Sequence, residues 1–247
     1  MVINWIEGSK YALNSKKSIY IAVVSSIKNL DGFEEACLKY REKMDSYNTT
    51  VQNNYETQQM SESEATKWLP WSEILDVVET ARLAVEDCWS LQEYLILALY
   101  TMVPPVRLDY GEMKIVAAEP KDINGNYVVL KPQAYFLFSD YKTFSKYGVI
   151  RTNIPAPLLK VIQNWIEFSD EYLLIDRHSG GPLGDVALGQ LIIAIFQKHC
   201  KKNIGVSILR HSYISHLRAK EMPVLESNKL AMAMHHSPKM SMIYRKL

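Results

Sequence analysis

The stretch SILRHSYISHL, Ser207 to Leu217, sets an arginine among residues that should be packing. Leu209, Tyr213, Ile214 and Leu217 recur at helical spacing, so the segment reads as a helix with an apolar face, and Arg210 falls among them. A guanidinium taken out of water needs a partner, because desolvating it alone is costly. On this segment alone the partner could be a structural Asp or Glu, or an anion brought from outside. His211 and His216 are five apart and so lie on different helix faces. With no HExxH pattern and no carboxylate companion, no metal site is expected.

Working outward, the chain ends MAMHHSPKMSMIYRKL, Met232 to Leu247, with the pair His235 and His236 ahead of Tyr244. Upstream, TMVPPVRLDYGEMKI places Arg107 after Pro104 and Pro105, which end a helix, and before LDY, which reads as the start of a short helix. An arginine on a stiffened turn suits bidentate contact with phosphate or carboxylate, although an ion pair with Asp109 or Glu112 would account for it equally well. In FSDYKTFSKYGVI, Lys142 reads as the tip of a β-turn between YFLF and GVIRTNIP, with Lys146 close behind. A lysine at such a tip is ordinarily solvated surface.

The rest of the chain fixes the class. At 247 residues, 48% hydrophobic and 22% charged, it can hold one large domain or a small and a medium one. Residues 1–58 read as helical. The polar stretch that follows, broken at Pro70, reads as a linker, giving a helical N-terminal segment and linker at 1–65 and a larger domain at 66–247. Ser72 is expected to cap a helix with Ile74, Val77, Val78 and Ala81 inward. Ser90 and Glu93 are expected to form a capping box before LQEYLILALYTM. Between Met113 and Ile154 the pattern is sheet, and helices return afterwards. The expected fold is therefore mainly α with a small three-stranded antiparallel sheet.

Charge and cysteines narrow the function. The formal net charge is only +1, yet from Lys198 onward ten Lys and Arg stand against two Glu, which is compatible with local binding of a polyanion. Cys37, Cys88 and Cys200 are odd in number and form no CxxC pair. That argues for a reducing, intracellular compartment and against a disulfide framework. No secretory leader is expected from the start of the chain, and the apolar run from Tyr94 is too short to cross a bilayer.

In their order, LYTMVPPVRLDYGEMKI, FSDYKTFSKYG, VSILRHSYISHL and MHHSPKMSMIYRK resemble the tyrosine recombinases and integrases. The resemblance is greatest to the divergent members found in virophages, large eukaryotic DNA viruses and Crypton-like elements, and it spans roughly residues 70 to 247. It implies that Arg107 and Arg210 are the two catalytic arginines, Lys142 (or Lys146) the hairpin lysine, His236 the histidine before the nucleophile, and Tyr244 the nucleophile. Ser207, His211, His235 and Lys146 fall where phosphate contacts are expected. Ser207 stands where the family usually has histidine, His235 where glycine is common, and only three residues follow Tyr244 where a helix usually does.

The chemistry implied is DNA strand cleavage and rejoining through a covalent 3′-phosphotyrosine, without metal or cofactor, on double-stranded DNA and in a tetramer. A phosphotyrosyl ester is close in energy to the DNA ester, so the step is reversible. Two forked guanidiniums suit the charge that builds on the non-bridging oxygens, and Lys142 would protonate the departing 5′ oxygen. The N-terminal helices would form the core-binding half of a clamp around the duplex. A type IB topoisomerase-like enzyme, a catalytically inactive DNA-binding relative and an unrelated α-rich domain are the other readings of the same residues.

Overall fold

Sheet topology is where sequence and structure part most clearly. In a computed structural model of the chain, which describes residues 2–218, 223–235, 237 and 244–246 (without the side chains of Arg218 and Val224), the strands form one four-stranded mixed sheet. Two compact units divide the chain, Met1–Gln59 and Met60–Leu247.

The first unit contains α1 (Val2–Gly8), α2 (Leu13–Ile27) and α3 (Glu34–Glu56). Its centre is polar-aromatic. Tyr20 and Tyr47 stack at 5.6 Å between ring centroids, and both hydroxyls donate to the Glu7 carboxylate, at 2.5 and 3.0 Å.

The second unit opens with α4 (Glu62–Lys67), capped by a reciprocal box between Ser61 and Glu64. Next come α5 (Trp71–Leu83) and α6 (Cys88–Thr101). In α5, Ile74, Val77, Val78 and Ala81 are buried as the spacing predicts, but the helix starts after Pro70 with no side-chain cap from Ser72. In α6 the capping box joins Asp87 to Ser90, because the helix begins at Cys88 and its cap is Asp87 rather than Ser90. Glu93 is left to pair with Lys198 at 2.6 Å. From Leu95 to Tyr100 every residue of α6 is at most 1% exposed, as befits a helix apolar on all sides.

Strands β1 (Lys114–Val116), β2 (Tyr127–Val129), β3 (Tyr135–Phe138) and β4 (Ile150–Asn153) lie in that order. β1 pairs with β2 in parallel, and the other two pairings are antiparallel. The expected three-stranded antiparallel sheet is thus corrected. Residues 117–126 are not a tight hairpin around INGN but a longer crossover, which returns the chain in the same direction. The β3–β4 connection is likewise not a simple turn, since it holds α7 (Phe144–Tyr147). Residues 107–112 form turns rather than the short helix expected at LDY.

Helices α8 (Ala156–Ile166), α9 (Asp185–Cys200), α10 (Val206–Arg218) and α11 (Val224–Ala233) complete the unit. α8 buries Leu158, Val161, Ile162 and Trp165, the i, i+3, i+4, i+7 face of an amphipathic helix. α10 is held to the start of the unit at two points. Tyr213 meets the Trp71 ring edge-on at 4.9 Å, and Ser212 Oγ donates to the Leu69 carbonyl at 2.8 Å.

The turn carrying Arg107 is pressed against α9. A Cβ on Gly111 would lie 2.3 Å from Asp185 Oδ1 and 3.0 Å from the Asp185 backbone nitrogen, so only glycine fits. Gly111→Ala should therefore lower stability by about 1–3 kcal/mol through overpacking, read as a reduced denaturation midpoint. Gly125→Ala, whose Cβ would meet only Tyr127 Oη at 3.9 Å, should change it little.

Candidate active site

Arg210 is 1% exposed on α10. Its Nη1 donates to the Pro105 carbonyl at 2.7 Å and its Nη2 to the Met234 carbonyl at 3.0 Å. The guanidinium also lies 5.3 Å from the centroid of the Tyr244 ring and shares a hydrogen bond with that side chain. Burial pushes its pKa below the ordinary arginine range, Tyr244 opposes that push, and the like charge of Arg107 adds to it. The arginine that the sequence set among apolar residues is therefore held by backbone carbonyls and a phenol.

Arg107, half-buried, hangs from the next peptide. Its Nη1 donates to the His235 carbonyl at 3.3 Å, and among the described residues it makes no ion pair with Asp109 or Glu112. The two arginines are thus gathered by consecutive carbonyls, Met234 and His235, just past the end of α11. Unpaired carbonyls at a helix C-terminus carry roughly half a negative charge, which suits two guanidiniums. His235 turns the chain there with φ +56°, a left-handed conformation that costs a non-glycine residue about 1–3 kcal/mol.

The His235 side chain is fully buried. Its Nδ1 donates to Asp109 Oδ2 at 2.9 Å, and its ring packs on Phe138 and Tyr141 at 4.5 and 4.6 Å between centroids. It has no exposed edge to offer a DNA phosphate. Asp109, one of the two carboxylates within sequence reach of Arg107, serves this imidazole instead.

Lys142 is exposed, and both of its neighbours are tied to His235. Tyr141 packs against the imidazole with the rings tilted by 42°, while Thr143 Oγ1 donates to the same carbonyl that Arg107 uses, at 3.0 Å. Asn126 adds a second brace. Its amide nitrogen donates to the Asp109 and Asp140 carbonyls at 2.9 and 2.8 Å, and its oxygen accepts from the Ser139 and Asp140 amides at 3.0 and 2.9 Å. All four hydrogen bonds of a buried asparagine are made, and they join the Arg107 turn to the Lys142 connection. Lys146 lies apart from this bracing, exposed on α7 with its Nζ 5.2 Å from the Tyr147 ring centroid.

Tyr244 is half-buried against α10. Its ring stacks on His211 at 4.4 Å and 14°, and His211 Nδ1 donates to the Tyr244 carbonyl at 2.8 Å. Two residues on, the Lys246 amide donates to Ser215 Oγ at 2.8 Å and its Nζ pairs with Glu64 at 3.1 Å. Ser207 is exposed in the first turn of α10, one turn before Arg210. His236 lies outside the described residues.

Burial lowers the pKa of His211, with the charges of Lys246 and Arg210 acting in the same direction. The folded state thus holds His211 neutral, and it contributes stability above the unfolded value of about 6.5 that is lost as pH falls through the lower folded value. We expect denaturation midpoints to drop on acidification below about pH 6.5. His211→Asn should flatten part of that slope, and His199, depressed by burial likewise, should account for another part. An unchanged slope in His211→Asn would contradict the assignment.

Beside Arg107 and Lys142 opens a cleft of about 960 Å³. Its wall also carries Lys114 and four carboxylates, Asp109, Glu112, Asp140 and Asp185. Partial burial, then the neighbouring Asp109, Glu112 and Asp140, push Asp185 above the usual carboxylate range. Four carboxylates there face three basic side chains, Arg107, Lys114 and Lys142, so the wall offers a phosphate backbone no basic surface beyond those three. The arginine–tyrosine cluster is the better phosphate candidate. No group of three or more His, Cys, Asp or Glu among the described residues is arranged to hold a metal ion, and none of the described helices is long and apolar enough to cross a membrane.

Asn126 and Thr143 are the residues that sequence reasoning missed, together with the attachment of Asp109 to His235. Asn126 could have been noticed as a polar residue entering a strand of valines, but its partners lie on two other segments.

No protein-family model matches this chain, and no curated protein matches it in sequence. Solved structures match it in fold. One is the crystal structure of XerA recombinase, similar over 100% of this chain and 83% of that one, with a TM-score of 0.52 and 11% identity. The fold is recombinase-like.

Proposed function

We propose that this protein cuts and rejoins DNA strands through a covalent tyrosine ester, as a site-specific recombinase or integrase. The observation that carries the proposal is the placement of Tyr244 against Arg210, with Arg107 held one peptide bond away. The recombinase-like fold supports it.

In this reading the Tyr244 hydroxyl gives up its proton to solvent as its oxygen attacks a backbone phosphorus, forms a phosphotyrosyl bond and displaces a 5′ oxygen. Arg107 and Arg210 hold the non-bridging oxygens as negative charge builds on them. Lys142 delivers a proton to the leaving oxygen, and rejoining runs the same steps in reverse with a second DNA hydroxyl as nucleophile. His236 takes the family position beside the nucleophile, and Ser207 stands in for the usual histidine at the phosphate. His211 and Lys246 hold Tyr244 and the residues after it. The N-terminal segment is assigned to the second DNA-binding half, and a tetramer on two duplexes is the expected working form. The motif order favours kinship with the recombinases of virophages, large DNA viruses and Crypton-like elements.

The test is to trap covalent complexes from a library of randomised, nicked duplexes, then assay the recovered sequence in plasmids carrying one copy or two. Recombination between two copies supports the recombinase reading. Relaxation of supercoils without exchange would move the assignment to a type IB topoisomerase-like enzyme. Binding without any covalent complex would leave a DNA-binding protein that has lost its chemistry.

A further inference from the structure

We infer that His235 is a positioning residue, setting Arg107 and the Lys142 segment in a single geometry by anchoring its imidazole on Asp109. The inference rests on the strand-cleavage reading for its consequence, though not for its geometry.

Three observations converge on this one residue. Its backbone carbonyl accepts from both Arg107 Nη1 and Thr143 Oγ1, so an arginine and the residue after Lys142 share one acceptor. Its backbone is left-handed, at a position where glycine would be free of strain. Its imidazole is fully buried, with Nδ1 on Asp109, the Phe138 ring meeting it edge-on and the Tyr141 ring tilted against it.

A glycine would give the same helix ending without strain, so the imidazole is the part that needs explaining. Asp109 is two residues from Arg107, and Tyr141 is the residue before Lys142. The side chain therefore grips the same two segments that its carbonyl grips. An ionised carboxylate can only accept, so Nδ1 carries the proton and the ring has a fixed orientation. Nε2 is buried with no hydrogen-bond partner among the described residues, a cost set against the Asp109 bond. Asn126 braces the same two segments at their backbones, which leaves His235 to set the finer alignment.

The test compares His235→Gly with His235→Asn. Glycine keeps the left-handed turn and the carbonyl but loses the imidazole. Asparagine tolerates the same turn, and its amide nitrogen can take the place of Nδ1 toward Asp109. Hydrogen exchange of residues 141–148 is read on the free protein, and single-turnover cleavage is read at saturating DNA. His235→Gly should exchange faster in that segment and cleave about tenfold to a hundredfold more slowly, with DNA affinity changed by less than about twofold. His235→Asn should restore both. Wild-type exchange in His235→Gly, or a His235→Asn as impaired as His235→Gly, overturns the inference. Asp109→Ala should reproduce the glycine variant, and failure to do so would also count against it. If the wild-type protein forms no covalent complex with DNA, the strand-cleavage reading fails, and the exchange data still decide the positioning.

Discussion

Arg210→Ala is expected to slow DNA cleavage by on the order of 10²–10³-fold or more, the cost of removing a preorganised donor from a developing oxyanion. It should also destabilise the fold by about 2–5 kcal/mol, because the Pro105 and Met234 carbonyls lose a charged donor in a buried site. Arg107→Ala separates the two effects. Arg107 is half-buried and, among the described residues, makes one long hydrogen bond, to the His235 carbonyl, so its loss should cost about 1 kcal/mol of stability while the kinetic penalty stays comparable. Arg210→Lys should not rescue, since a single ammonium cannot replace a fork that reaches two carbonyls and a phenol. Urea denaturation, DNA binding and single-turnover cleavage measured side by side distinguish these outcomes. Both alanine variants should bind DNA with modest loss, and wild-type cleavage by either would remove it from the clamp.

Tyr244→Phe is expected to abolish covalent complex formation, a loss on the order of 10⁴-fold or more, as for other enzymes stripped of their nucleophile. The phenylalanine ring can keep the stack on His211 and the face toward the Arg210 guanidinium. The hydroxyl and its hydrogen bond to Arg210 are lost, so stability should move by about 1 kcal/mol. A large kinetic loss with a small stability change is what separates a nucleophile from a structural tyrosine. The covalent complex, resolved on denaturing gels from labelled DNA, gives the first, and thermal denaturation gives the second.

What could be read from sequence was what repeats along the chain. The buried faces of α5 and α8 and the intrusion of Arg210 into the packing of α10 follow from helical periodicity. Strand direction has no such signal, because alternation reads the same either way. The parallel β1–β2 pair depends on where a long crossover returns the chain. The arginines illustrate a second limit. Carboxylates were the obvious partners to look for, yet the acceptors are main-chain carbonyls of residues 105, 234 and 235, which any side chain would present. His235 was legible as a departure from glycine, but its attachment to Asp109 rests on a left-handed turn that spacing cannot foresee. The same holds for Asn126, whose partners come from segments distant in sequence.

Mass-spectrometric mapping of the protein–DNA adduct tests the central claim most directly. Wild-type protein would be trapped on the nicked duplex library, digested to peptides and nucleotides, and sequenced for the residue that carries the nucleotide. The account predicts a 3′-phosphoryl nucleotide on Tyr244 and none on the fourteen other tyrosines of the chain. A nucleotide on a different residue, or efficient cleavage with none on the protein, would contradict it.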